Sequence, residues 1–179
     1  DFAFNAFGSH KVCVAKIGAD GLFQWVRIEN PYGGQNWAWD IDVHGSDVYA
    51  AVQLDTATTY GPVVLPDTGN IGYKHLTLVV KYDTSGAFQW HRFDYGALHG
   101  IGHLHSIASG DVIVMRGGTG NQYLIDSTLW LEGGDYLSWY HPDGQRFRVQ
   151  VHDRAETRDI GSHDGKLLYY GIHIEDLYL

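Results

Sequence analysis

Residues Val79 to Phe93, VVKYDTSGAFQWHRF, repeat the stretch Val14 to Ile28, VAKIGADGLFQWVRI, sixty-five positions earlier. Lys81 falls on Lys16, Gly86 on Gly21, Phe88-Gln89-Trp90 on Phe23-Gln24-Trp25, and Arg92 on Arg27, a match too long to be chance. A degraded third copy, Leu137 to Val149 (LSWYHPDGQRFRV), sets Gly144 fifty-eight positions after Gly86. A fixed period of this size marks a repeat architecture and decides the fold class before any local reading does.

The unit reads as strand, glycine turn, strand. Val12, Val14 and Lys16 alternate with Cys13, Ala15 and Ile17 before the turn 18–21; Leu22, Gln24 and Val26 alternate with Phe23, Trp25 and Arg27 after it. The turn needs a residue that tolerates positive φ, so Gly21, Gly86 and Gly144 are structural.

A second hairpin type lies between the copies. Trp37 to Val43, WAWDIDV, places Trp37, Trp39, Ile41 and Val43 on one predicted face and Ala38, Asp40 and Asp42 on the other. It turns at 44–46 into Asp47 to Gln53. Its counterparts are 101–115, with Asp111 on Asp47, Ile107 on Val43 and His105 on Ile41, and 159–171. Four strands therefore recur every 58 to 65 residues, joined by longer connections at 54–74 and 117–135.

Composition agrees with this pattern. The chain has 179 residues, 44% of them hydrophobic, enough to build a core. Its 23 glycines, 12 tyrosines and 6 tryptophans against 4 prolines favour short strands and tight turns, and no helix of useful length is legible. A net charge of -9 argues against nucleic acid or an anionic membrane as partner, because the phosphate term needs a basic surface. No apolar run approaches the roughly 18 residues of a spanning helix. Cys13 is the one cysteine, which excludes a disulfide within the chain, and its place between Val12 and Val14 predicts a buried strand thiol. Beginning at Asp1 without a methionine, the sequence reads either as a processed chain or as a portion of something longer.

Units ending in a Lys-Tyr-Asp, Gly, Trp pattern, as in Val79 to Trp90 and Val14 to Trp25, and beginning as in Ile41 to Tyr49 and Ile107 to Val114, resemble bacterial β-propeller repeats of the seven-bladed type found in secreted and surface proteins. Gly21 to Trp25 and Gly86 to Trp90 are also similar, more faintly, to the tryptophan-docking repeats of quinoprotein-like propellers. The resemblance implies an all-β propeller of four-stranded antiparallel blades, each about 60–65 residues. About three blades fit this chain as a single or partial domain over 1–179: a half blade at 10–28, blades at 37–93 and 101–151, and a half blade at 157–174. It implies an extracellular or cell-surface location and is nearly silent on activity, since propellers host unrelated functions.

Residues that recur maintain the unit. Trp25 and Trp90 occupy equivalent positions and are expected to fill the gap between neighbouring sheets. Residues that break the repeat are the better guide to function. His103 and His105 lie two apart on a strand, and His99 sits just upstream among glycines. If that strand lines a central channel, three imidazoles there could hold a divalent metal; otherwise His103 and His105 replace Trp39 and Ile41 in packing. Asp40, Asp42 and Asp159 would add carboxylates near the same hub and Arg158 a cation. No nucleophile, zinc-protease or phosphate-loop motif is present, and no cofactor is required.

The expectation is therefore a non-catalytic scaffold that binds protein or glycan through aromatic residues in its loops, Tyr32, Tyr60, Tyr123 and Trp130. The alternative is a propeller enzyme with a hub metal on His99, His103 and His105. Three blades are too few to close the usual ring, and open sheet edges are sticky, so the ring is expected to close as a homo-oligomer or with the remainder of a longer chain.

Overall fold

The computed structural model describes residues 12–28, 36–54, 59–60, 62–64, 75–96, 101–107, 109–117, 123–125, 129–131, 135–152, 155–163 and 166–173. Among these residues every regular element is a β-strand: β1 (Cys13–Ile17), β2 (Phe23–Ile28), β3 (Trp37–His44), β4 (Asp47–Leu54), β5 (Thr59–Tyr60), β6 (Val63–Val64), β7 (His75–Asp83), β8 (Phe88–Gly96), β9 (Ile101–Ser106), β10 (Val112–Gly117), β11 (Tyr123–Ile125), β12 (Leu129–Leu131), β13 (Asp135–Tyr140), β14 (Arg146–His152), β15 (Ala155–His163) and β16 (Lys166–His173). All pairings are antiparallel.

Two full meanders dominate, β3-β4-β7-β8 and β9-β10-β13-β14, the first extended beyond β8 by β11 and β12. On either side stand two-stranded sheets, β1-β2 and β15-β16, and β5-β6 forms a small hairpin of its own. These are separate sheets rather than one closed ring. A meander sends alternate connections to opposite ends. Among the described residues the short turns 19–21, 45–46, 84–86, 109–110 and 142–144 therefore share one end, and the strand ends that lead into the longer stretches of sequence, such as those of Ile28, Leu54, Gly96 and Gly117, share the other.

The three glycine hairpins β1-β2, β7-β8 and β13-β14 have one geometry. In each, the residue that opens the turn accepts from the glycine N–H, as in Gly21 to Gly18, Gly86 to Asp83 and Gly144 to His141. The glycines sit at φ 78°, 78° and 84°, the left-handed region that closes a three-residue loop. Each second strand then bulges, with the pairing slipping after Lys16, Lys81 and Trp139. The bulge corrects the simple alternation expected after the turn: Phe23 pairs with Ile17 on one face while Trp25 pairs with Lys16 on the other.

The hairpins of the second type differ by one residue in their turns. His44 pairs with Asp47 around two residues, Gly45 and Ser46, whereas the Ile107 N–H bonds the Asp111 carbonyl around three. That extra residue shifts the alignment of β9 on β3. Taking the turns as anchors, Ile41 (opposite Ala50) corresponds to Leu104 (opposite Val114), and Asp40 and Asp42 correspond to His103 and His105. The expected match of His105 with Ile41 is thus corrected, because a one-residue slip moves every side chain to the opposite face. The hairpin β15-β16 returns to the two-residue turn, with His163 opposite Lys166, and carries the same bulge as β3, so Asp159 and His163 correspond to Asp40 and His44.

Successive sheets stack face to face. One core joins Val14 and Trp25 of β1-β2 to Val48, Ala50, Val52, Leu78, Val80 and Tyr82. A second joins Tyr49, Ala51, Val79 and Trp90, from the opposite face of the same sheet, to Leu104, Val112, Val114 and Tyr140. Strands β4 and β7 are buried on both faces, and for this reason VYAAVQL and LVV read as continuous apolar runs without alternation. Cys13, expected to be buried, is exposed. Val12 and Val14 take the covered face of β1, and alternation turns the thiol outward.

Candidate functional site

The contacts between sheets form two belts, one at the glycine hairpins and one along the strands β3, β9 and β15. In the first, Trp25 Nε1 donates to the Thr84 carbonyl at 2.9 Å and Lys16 Nζ donates to the same oxygen at 3.1 Å. One sheet on, Trp90 Nε1 and Lys81 Nζ both donate to the Pro142 carbonyl at 2.8 Å. The rings lie flat against the turn glycines: a Cβ on Gly86 would stand 2.6 Å from Trp25, and one on Gly144 2.7 Å from Trp90. The glycine thus serves twice, for its φ and for its missing side chain. Trp25 and Trp90 are equally covered, at 7% and 8% exposed, and their rings sit 6.1 Å from Tyr82 and 6.2 Å from Tyr140. The two tryptophans do fill the gap between neighbouring sheets, as expected from the repeat.

Charge is managed within this belt. Lys81 is buried, bonded to Asp47 at 2.8 Å, and lies 5.5 Å from the Tyr49 ring. Tyr49 donates to the Gly110 carbonyl at 3.2 Å, and burial, followed by the nearby Asp47 charge, holds its pKa well above the usual tyrosine range. It therefore acts only as a neutral donor. The third hairpin inverts the arrangement. Trp139 stands where Lys81 stood and Arg148 where Trp90 stood, with the guanidinium 4.6 Å over the indole ring. Asp111, the counterpart of Asp47, is bonded instead to His141 at 3.0 Å. Burial works to raise the Asp111 pKa, but the hydrogen bonds from His141 and Ser109 prevail and hold it below the usual aspartate value.

The second belt solves the problem of an open sheet edge. β3 and β9 each pair on one side only, which leaves alternate N–H groups of both strands without a ladder partner. Asp40 Oδ1 accepts from the Ile41 N–H at 2.8 Å, while its Oδ2 accepts from the Leu104 N–H at 2.9 Å. Asp42 repeats this two residues on, accepting from the Val43 N–H at 2.8 Å, the Ser106 N–H at 2.6 Å and the Ser106 hydroxyl at 2.8 Å. Each carboxylate clamps the edges of two adjacent strands with charge-assisted bonds. His103 and His105 extend the series, each with Nδ1 3.7 Å from the carboxylate of Asp40 or Asp42. That distance is too long for a hydrogen bond. The sequence showed aspartates two apart in β3 and histidines two apart in β9, but neither their correspondence nor the clamping of backbone N–H groups.

His99 lies outside the described residues. Among those described, no group of three or more His, Cys, Asp or Glu side chains converges to hold a metal ion. Tyr32 also lies outside them. Tyr60, expected in an exposed loop, belongs to β5 and is 1% exposed in the core with Leu54 and Leu76. Its ring is packed within that core, so it is not a surface contact. Tyr123 and Trp130 sit on β11 and β12, which pair with each other while β11 also pairs with β8, rather than in an irregular loop.

Comparison with known proteins found no family model that matches the chain and no curated protein that matches it at a significant level. No helix of the described residues is long and apolar enough to cross a membrane.

Proposed function

We propose that the chain is a non-catalytic binding scaffold of the β-propeller type, whose sheets radiate from the strands β3, β9 and β15 and whose long connections bind a protein or a glycan. The observation that carries this reading is the division of the stack into two ends. Among the described residues the short turns, with tryptophan packing at Gly86 and Gly144, lie at one end of the meanders, and the strand ends that lead into the longer stretches of sequence lie at the other. Loops that are free to vary over a rigid frame are where binding residues collect. The clamps of Asp40 and Asp42 support the radial arrangement, since they tie neighbouring inner strands edge to edge. The same clamps use the hub carboxylates for backbone donors, which favours a structural hub over the alternative of a metal enzyme.

The location belonging to this reading is extracellular or at the cell surface, where a net charge of -9 keeps such a surface soluble. A glycan array and a pull-down from extracellular fractions test the function. A hit that is lost in Tyr123→Ala and Trp130→Ala, with the melting temperature unchanged, supports it; no hit in either assay overturns it.

A further inference from the structure

Two of the sheets are halves, and they are complementary halves. In each full meander a two-hairpin sheet is made by pairing the second strand of one type with the first strand of the other, β4 with β7 and β10 with β13. The β1-β2 hairpin matches β7-β8 in turn, bulge and lysine-tryptophan pair, while β15-β16 matches β3-β4 in turn and bulge. Among the described residues β1 pairs only with β2, and β16 only with β15. Each half offers the edge that the other lacks.

The faces agree with the edges. Gly86 and Gly144 each carry a tryptophan ring, but Gly21, in the same conformation at φ 78°, has nothing within 4 Å of where a Cβ would stand. On that face Ile17 is 57% and Phe23 47% exposed, whereas Tyr82, which takes the place of Ile17 in the next hairpin, is 1% exposed beneath Trp25. Ile41, on the same side of β3, is 52% exposed; Leu104, its counterpart in β9, is 4% exposed because β3 and β4 cover it. The Gly21 face, covered at both of its internal equivalents, is thus left open, as is Ile41 on the side of β3 that faces the β1-β2 layer.

We propose that this surface is closed by a second copy of the chain, whose β16 pairs with β1 and whose β13-β14 hairpin lies over the Gly21 turn. The proposal rests on the stacked-sheet frame of the preceding reading, but not on any ligand. The internal pairing fixes the register. Asp47 opposite Asp83 and Ala50 opposite Val80 translate to Lys166 opposite Gly18 and Tyr169 opposite Ala15. The side-chain volumes compensate, since the larger residue Tyr169 replaces Ala50 where the smaller residue Ala15 replaces Val80. The contact is head to tail: each copy gives one half sheet and receives the other, and two copies close on themselves.

The same register sets Gly171 opposite Cys13, the one native cysteine. Directly paired residues of antiparallel strands lie within about 4.5–5.5 Å between Cα atoms, inside disulfide reach. Gly171→Cys, oxidised under mild conditions, is therefore expected to run on a non-reducing gel at twice the 20.0 kDa of one chain. Ile172→Cys, one residue out of register on the other face, should give no such band. Equal trapping of both variants, or a disulfide at the mass of one chain, overturns the proposal. Because Gly171→Cys could fail to fold, sedimentation of wild type and Ile17→Asp is a second measurement. Wild type is expected as a dimer and Ile17→Asp, with its own cores untouched, at least tenfold weaker in association. A wild-type monomer at high concentration refutes the pairing. A trapped dimer that binds no glycan or protein removes only the binding function, whereas a binding monomer removes only this inference.

Discussion

The belt at the glycine hairpins and the belt along β3 and β9 join the same sheets by opposite means. At the hairpins the joint is repeated almost atom for atom: indole on glycine, with lysine and indole N–H groups on one carbonyl, from Trp25 to Gly86 and again from Trp90 to Gly144. Between β3 and β9 the residues are not carried over. Asp40 and Asp42 clamp β9, while the corresponding positions in β9 are His103 and His105. A joint made by buried apolar area and a missing Cβ has few good solutions, so the first two hairpins share one. A joint made by exposed polar edges has many, so the copies diverge there.

The largest expected effect tests the first belt. Trp90→Ala removes a ring shared by two sheets and should cost about 3–5 kcal/mol in urea unfolding, the range for a buried aromatic truncated to alanine. A loss near 1 kcal/mol would mean that the indole is not what holds these sheets together. Next, Gly144→Ala combines a left-handed φ of 84° with a Cβ 2.7 Å from the Trp90 ring. It should cost about 2 kcal/mol or more and red-shift the tryptophan emission as the ring is displaced. Gly45→Ala, at φ 58° with nothing near its Cβ, is the comparison that carries backbone strain alone and should cost less.

The second belt is expected to be weaker. Asp42→Ala deletes three hydrogen bonds across and along the edge, and about 2 kcal/mol is expected for a charged acceptor lost from a partly exposed site. Hydrogen exchange should locate the loss at the Ser106 amide; unchanged protection there would remove the clamp from the account.

The smallest effect is one of pH. Burial, and then the neighbouring Arg92 charge, lower the His91 pKa, so the folded state prefers the neutral ring. As pH falls below the unfolded value of about 6.5, the unfolded chain takes up the proton first and stability declines until the folded pKa is passed. His91→Val, which copies Val26 of the first hairpin, should flatten the melting temperature between pH 7 and 5. An unchanged slope would point to other groups.

Much of the fold was legible because its signals are local. Glycine at positive φ, strand alternation and a tryptophan in fixed register need only neighbouring residues, and they placed the hairpins and marked Trp25 and Trp90 as packing residues. Three features escaped. The bulge at the second strand turned Phe23 away from Trp25; the extra residue in the turn 108–110 moved His103 and His105 onto the positions of Asp40 and Asp42; and Trp139 and Arg148 inverted the lysine-tryptophan pair within the third hairpin. The turn lengths were on the page all along, but their effect on facing follows only when each strand is counted from its own turn.

By itself, the sequence determined that these residues form antiparallel hairpins in a repeated series, because backbone geometry and apolar spacing are written position by position. Only the tertiary structure decided which side of each strand is covered, with Cys13 outside and Tyr60 within, and what Asp40 and Asp42 hold. Burial belongs to a face, and a face exists only once a neighbouring sheet has been laid against it.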